Sequence, residues 1–334
     1  MTAPAKGRLL ALVGKLEGVS VTVAGDAVLD EFEFGEIARV SREAPVLILE
    51  HRWTDLAPGG AANAATNLAA LGARVLLAAR VGDDPQGERL ARLLAERGVD
   101  VSGIERQRDY PTPTKTRILA GSPHTAKQQI VRMDRGRREI PVSGGVRERL
   151  TRSVARARRR GAAVLLADYG YGVVDPGWVA RLGAGPGPVT LDSRFALQRF
   201  RGVDAATPNL EELERASGTA LADDDDAGIA AAARALRRRI GAAALVVTRG
   251  SRGMTLVEAR GAAARIPVFG SDEIADVTGA GDTVIATFTA ARAAGGSWRE
   301  AAELANIAGG LVVMKRGTAT VSRDELAAAI DGRG

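Results

Sequence analysis

The chain has 334 residues, 46% of them hydrophobic, with 40 glycines and no cysteine, enough to bury a large core and incompatible with disulfides or a cysteine-ligated metal. Its only histidines, His51 and His124, argue against a histidine-rich metal site or a serine–histidine triad. The net charge is +6, but the arginines sit on helical runs such as 148–160 and 234–239 with almost no aromatic neighbours, so they read as solvated helix faces and not as a nucleic-acid surface.

From the N-terminus, residues 1–18 are too broken by Gly and Lys for a secretory signal. No later apolar run approaches the roughly 18 residues of a membrane span. A cytoplasmic enzyme with neither nucleic-acid nor membrane partners is expected. Residues 19–26 read as a strand ending in a turn, and the design recurs at 73–82, 162–170, 187–193, 205–209 and 243–250. Helical patterns lie between, at 60–72, 87–98 and 227–241. Alternation of this kind predicts an α/β fold with a mostly parallel central sheet and helices on both faces. Ligands in such folds bind beyond the carboxyl ends of the strands. Residues 31–57 and 111–135 break the pattern as extended segments without helices, and they predict a small β-sheet lid over a cleft. The acidic run 223–226 reads as a solvated loop before a helix. With no long linker, 1–334 is expected to form one domain.

The strongest chemical signal starts at Asp276. A turn of Gly279, Ala280 and Gly281 opens an apolar helix whose first turn carries Asp282. Small residues at a helix N-terminus leave backbone N–H groups free to meet an anion. A carboxylate beside such an anion hole is what phosphoryl transfer to an alcohol requires. The same residues could equally form an ordinary turn with an acidic cap. Three weaker signals follow strands: Asp26 and Asp30, Asn209 with Glu212, and the turn 247–254. Each also reads as plain turn or helix-cap chemistry. There is no Gly-x-x-x-x-Gly-Lys loop and no Gly-x-Gly-x-x-Gly after the first strand, so P-loop and dinucleotide-binding readings are poor.

The stretch Asp276–Thr283 resembles the signature of the ribokinase-like, or PfkB, carbohydrate kinases, and residues 58–72 resemble that family's second signature. The resemblance implies ATP and Mg2+ as cofactors, Asp282 as the base and Gly279, Ala280 and Gly281 as the anion hole. It implies that Gly59, Gly60, Asn63, Asp26, Asp30 and Asp192 hold the sugar. Asn209 and Glu212 would order the metal, largely through water. Thr248, Arg249, Gly250, Gly253, Asn306 and the Gly317 loop would border the nucleotide, and a homodimer would form through the lid.

Within the family, residues 25–46, 112–119, 128–135, 165–172 and 315–322 resemble the heptose 7-phosphate kinases most. This implies phosphorylation of the anomeric hydroxyl of D-glycero-D-manno-heptose 7-phosphate, and the kinase step alone. The lid cations Arg42, Lys115, Arg117 and Arg132 are more than a neutral sugar needs, and suit a substrate phosphate. Tyr171 and Arg194 stand where that group has Lys. Other sugar or sugar-phosphate kinases, and a non-catalytic sensor on the same fold, are the alternatives.

Overall fold

A computed structural model describes residues 3–121, 127–270, 276–315 and 317–332. His124, part of the expected lid segment (122–126), and Arg316, in one of the stretches that carry the resemblance, lie outside the described residues. The strands are β1 Ser20–Gly25, β2 Ala27–Val40, β3 Leu47–Gly60, β4 Arg74–Gly82, β5 Ile104–Gln107, β6 Thr114–Gly121 and β7 Gln128–Arg135, then β8 Ala163–Asp168, β9 Val189–Ser193, β10 Ala205–Ala206, β11 Ala244–Thr248, β12 Met254–Glu258 and β13 Ala264–Ile266. The helices are α1 Ala3–Gly14, α2 Ala61–Ala70, α3 Pro85–Glu96, α4 Gly144–Arg159 and α5 Trp178–Leu182, then α6 Leu210–Ser217, α7 Asp226–Ile240, α8 Ala280–Ala293, α9 Trp298–Val313 and α10 Arg323–Asp331.

Among the described residues the main sheet has nine strands, in the order β13-β12-β11-β10-β9-β8-β1-β4-β5. Pairing is parallel from β5 to β11, and antiparallel only at β11–β12–β13. Both faces are buried, so the strands are continuously apolar rather than alternating. In β8, Ala163, Leu165 and Ala167 pack into the core formed with α1, α2, α8 and α9, while Val164 and Leu166 face the core on the α4–α7 side. The same split in β11 sends Ala244 and Val246 one way, Leu245 and Val247 the other. This is the ribokinase-like α/β architecture that the alternating pattern and the resemblance imply.

After β1 the chain adds β4 and β5 on one side, then crosses to β8 and the rest on the other. That reversal is a topological switch point between β1 and β8, where such sheets open a crevice at their carboxyl ends. Two features keep these strand ends together. Asp26 N–H donates to the Ala167 carbonyl at 3.1 Å. Gly25 lies so close that a Cβ there would come within 2.1 Å of the Ala167 oxygen.

The second sheet has the order β3-β2-β6-β7. It is mixed: β2 pairs with β6 in parallel, while β2–β3 and β6–β7 are antiparallel. Its strands run further than the expected segment 31–57. The chain leaves β1, spends only Asp26 in between, and enters β2 at Ala27; β3 continues to Gly60. Residues 27–30 are buried against the main body, and their apolar run hides that they already belong to the lid. Among the described residues no helix is long and apolar enough to cross a membrane.

Replacing Gly25 with Ala should therefore overpack the β1–β8 junction and cost about 1–3 kcal/mol, read as a lower urea midpoint at unchanged m-value. An unaltered midpoint would show that the β1–β8 junction is not tightly packed at Gly25.

Candidate active site

A cavity of about 490 Å³ opens at the switch point, between the strand ends and the lid. Asp282, Gly279 and Gly281 line it from the start of α8, Gly59, Gly60 and Asn63 from the root of β3 and α2. The lid contributes Asp30, Lys115 and Arg117, and the ends of β9 and β11 contribute Asp192 and Thr248. Asn209 and Glu212 close it from the start of α6.

Helix α2 is built almost wholly of small residues, with Ala61, Ala62, Ala64 and Ala65 buried. It therefore packs closely on α8, and the two N-termini meet. Asn63 Nδ2 donates to Asp282 Oδ2 at 2.8 Å, and the Tyr169 hydroxyl donates to Oδ1. Asn63 is in turn fixed by Asn67, whose Nδ2 donates to its Oδ1 at 3.2 Å, and Thr283 donates to Asn67 Oδ1 at 3.0 Å. Burial pushes the Asp282 carboxyl up to about 6, the Tyr169 and Asn63 bonds pull it down, the charge of Asp30 raises it and Lys115 lowers it.

Gly279 caps α8 in the left-handed region at φ 80°. A Cβ there would lie 2.5 Å from Asn63 Nδ2, so only glycine fits between the helices. Among the described residues, the N–H groups of Gly279, Gly281 and Asp282 find no protein acceptor, whereas Ala280 N–H donates to the Val277 carbonyl at 3.3 Å. Ala280 therefore drops out of the expected anion hole, because its amide closes the turn that presents the others. Asp276 braces that turn: its Oδ1 accepts from Thr278 N–H at 2.8 Å and its Oδ2 from Gly317 N–H at 3.2 Å.

Asn209 and Glu212 form a reciprocal capping box at α6, with bonds of 2.8 and 3.0 Å, and both still face the cavity. Burial raises the Asp192 and Glu212 carboxyls, and Asp192 is raised further by the charges of Glu212 and Asp282. Among the described residues no three acid or histidine side chains are close enough to hold a metal. Two hard oxygen donors on one wall fit Mg2+ carried mainly by water and phosphate.

Several expected site residues stand elsewhere. Asp26 is 1% exposed and does not reach the cavity. Its carboxylate accepts from the backbone N–H groups of Tyr169 (2.9 Å), Tyr171 (2.9 Å) and Val173 (3.0 Å), so it shapes the loop after β8 instead of holding sugar. Arg249 follows Thr248 and points to the opposite side, where it is buried against Asp226 and the Asp223 carbonyl. The run 223–226 is exposed and leads into α7 as expected, with Asp225 as its cap, and two of its members, Asp223 and Asp226, also hold Arg249. Gly250 and Gly253 shape the β11–β12 turn with positive φ, and Asn306 donates to the Pro267 carbonyl at 2.8 Å; none of the three lines the cavity. Arg42 is exposed in the turn beyond β2, and Arg132 pairs with Asp134 at 2.8 Å on the exposed strand β7. Tyr171 is buried, with the guanidinium of Arg138 5.0 Å from its ring.

Arg117, one of the lid cations expected at a substrate phosphate, lines the cavity while pairing with Asp30 at 2.6 Å. Arg194, which stands where the resemblance has Lys, also lines it. Arg215, Thr207, Thr278 and Thr318 enter unforeseen. Tyr169 is the most telling, and one signal could have found it: it directly follows β8, the strand beside the switch point.

The description "pfkB family carbohydrate kinase" matches residues 20–136 and 172–325. The chain is 39% identical over 313 residues to Bifunctional protein HldE of Geobacter metallireducens, covering 92% of this chain and 62% of that protein. It is 40% identical over 327 residues to Bifunctional protein HldE of Mesorhizobium japonicum, covering 95% and 63%. The chain thus spans under two thirds of the length of these curated relatives. Among solved structures, phosphofructokinase-2 from Escherichia coli in complex with potassium superposes with a TM-score of 0.76 at 19% identity, over 94% of this chain and 99% of that one. Arabidopsis thaliana ribokinase complexed with ribose and ATP gives 0.72 at 20% identity, over the same shares. These two establish the fold, and the family match the chemistry. The chain belongs to the pfkB family of carbohydrate kinases and is a sugar kinase.

Proposed function

We propose that this protein phosphorylates the anomeric hydroxyl of D-glycero-D-manno-heptose 7-phosphate at the expense of ATP. The observation that carries the reaction class is the pairing of Asp282 with the unengaged amides of Gly279 and Gly281 on one cavity wall. In this reading Asp282 takes the hydroxyl proton as the sugar oxygen bonds to the γ-phosphorus and the bond to ADP breaks. The α8 amides receive the charge on the moving phosphoryl group. Gly59, Gly60 and Asn63 border the sugar. Asp192 and Glu212 would hold Mg2+ through water, and the ion would neutralise phosphate charge when bound.

The choice of a sugar phosphate is supported by Lys115. It lines the cavity and makes no hydrogen bond or ion pair with the described residues, and burial lowers its pKa. An ammonium that the described residues leave without a partner suits the phosphate that the sugar already carries. The resemblance to heptose 7-phosphate kinases and the similarity to the HldE proteins support the heptose. Closure of the lid would exclude water and favour transfer over hydrolysis. The lid also carries most of the large exposed hydrophobic side chains, including Val40, Trp53, Ile130, Val131 and Met133. An apolar face of that kind supports pairing of two lids.

Turnover of this heptose phosphate should exceed that of fructose 6-phosphate and ribose, with phosphate found on carbon 1 by NMR. Preference for fructose 6-phosphate would move the assignment to another branch, and tight sugar binding without turnover would favour a sensor. Asp282→Asn should lower kcat by about 10²- to 10⁴-fold while leaving ATP affinity close to that of the wild type. Because the carboxylate is the active form and its pKa is raised to about 6, kcat/KM should be full above that pH and fall about tenfold per unit as pH drops below it. Light scattering should give the mass of a dimer, and Trp53→Glu that of a monomer; a wild-type monomer would remove the lid pairing.

A further inference from the structure

We propose that Tyr169 is a positioning residue for the base: its hydroxyl, delivered by a loop fixed from below, orients Oδ1 of Asp282 and keeps the carboxylate ionised. The inference rests on Asp282 being the proton acceptor. Its first support is the two-point grip on that side chain. Asn63 takes Oδ2 from α2 and Tyr169 takes Oδ1 from the far side of the cleft, leaving the carboxylate no rotational freedom.

The second support is what holds Tyr169. Two buried charges outside the cleft serve the loop 169–173. Asp26 gathers three of its N–H groups, as described above, and Arg80, 1% exposed, donates through Nη2 to the Tyr171 carbonyl at 2.6 Å and through Nη1 to the Ile140 carbonyl at 3.1 Å. Buried charges are costly to retain without a structural return. The return here is a phenol placed on the base.

The third support is the surrounding field. Asp282 is faced by Asp30 from β2 and Lys115 from β6, and the pair it forms with Tyr169 is faced by Asp192 from β9 and Glu212 from α6. Arg117, paired with Asp30, and Arg194 and Arg215, beside Asp192 and Glu212, offset these acids in part, but burial still favours a protonated Asp282. A hydroxyl donor favours the charged form. Burial first, and then the charges of Asp282, Asp192 and Glu212, raise the phenol well above its ordinary value, so it remains a donor throughout the working range.

Tyr169→Phe removes one oxygen and keeps the ring beside Gly60. The Cγ resonance of Asp282, assigned by its loss in Asp282→Asn, is followed by 13C NMR against pH in the substrate-free enzyme. In Tyr169→Phe its midpoint should rise by about one pH unit. The acid limb of kcat/KM should move with it, so that the variant's deficit is larger at pH 6 than at pH 8.5. An unmoved carboxyl midpoint, or a loss uniform across pH, would overturn the proposal. A shifted carboxyl with no acid limb in turnover would instead sink Asp282 as the base while leaving its contact with Tyr169 intact.

Discussion

The site depends on how closely α2 and α8 approach each other. Their contact is lined by alanine and glycine, and the tightest point is Gly279 against Asn63, where one added carbon would collide with the amide. Larger residues would push the helices apart. The Asn63–Asp282 bond would break first, and the N-terminal amides of α8 would no longer face the same space as the carboxylate. Packing of small residues, an interaction with little energy per side chain, is therefore what brings the chemistry together.

That geometry creates an electrostatic problem. Asp192, Glu212 and Asp282 share one cavity, and burial lifts all three carboxyls. An acidic cleft would repel a nucleotide and a sugar phosphate. The cations on its walls and rim, Lys115, Arg117, Arg194 and Arg215, offset part of this, and Arg117 is already engaged by Asp30. The remaining imbalance favours a ligand that brings its own divalent ion. Preorganised charge of this kind acts in the bound complex and needs no reorganisation at the moment of transfer.

What was legible in the sequence was whatever is contiguous. Gly279, Gly281 and Asp282 stand in one helix turn, so spacing alone put amides and acid together, whereas Gly59, Gly60 and Asn63 were legible only through the resemblance, their spacing alone giving a tight turn that opens an alanine-rich helix. Side-chain direction at strand ends was not legible. Asp26 and Asp30 look alike in sequence, yet one turns beneath a loop and the other into the cavity, because the chain changes sheets between them. Thr248 and Arg249 part in the same way, and the acids that capture Arg249 come from over 20 positions away. Arg42 and Arg132 are lid residues, but membership of the lid does not set which of its cations face inward. Tyr169 was hidden by context: an aromatic ending an apolar strand reads as core. Its hydroxyl matters only because α8, more than 100 residues later, begins there.

Asp26 shows why a residue outside the cavity can be chemically specific. Its backbone N–H ties β1 to β8, its carbonyl accepts from Ala61 N–H at 3.0 Å at the start of α2, and β2 of the lid begins one residue later. Its carboxyl, pushed up to about 6 chiefly by burial and also by the charge of Asp168, and pulled down by backbone N–H bonds, has only N–H donors as hydrogen-bond partners. Three N–H groups need a partner that accepts and never donates. Asparagine would present an NH2 to one or two of them and leave buried donors opposed. An aspartate is demanded here by satisfaction of the loop backbone rather than by contact with substrate, which is how a buried acid can look like a binding residue in the sequence and still act only through the tyrosine it holds in place.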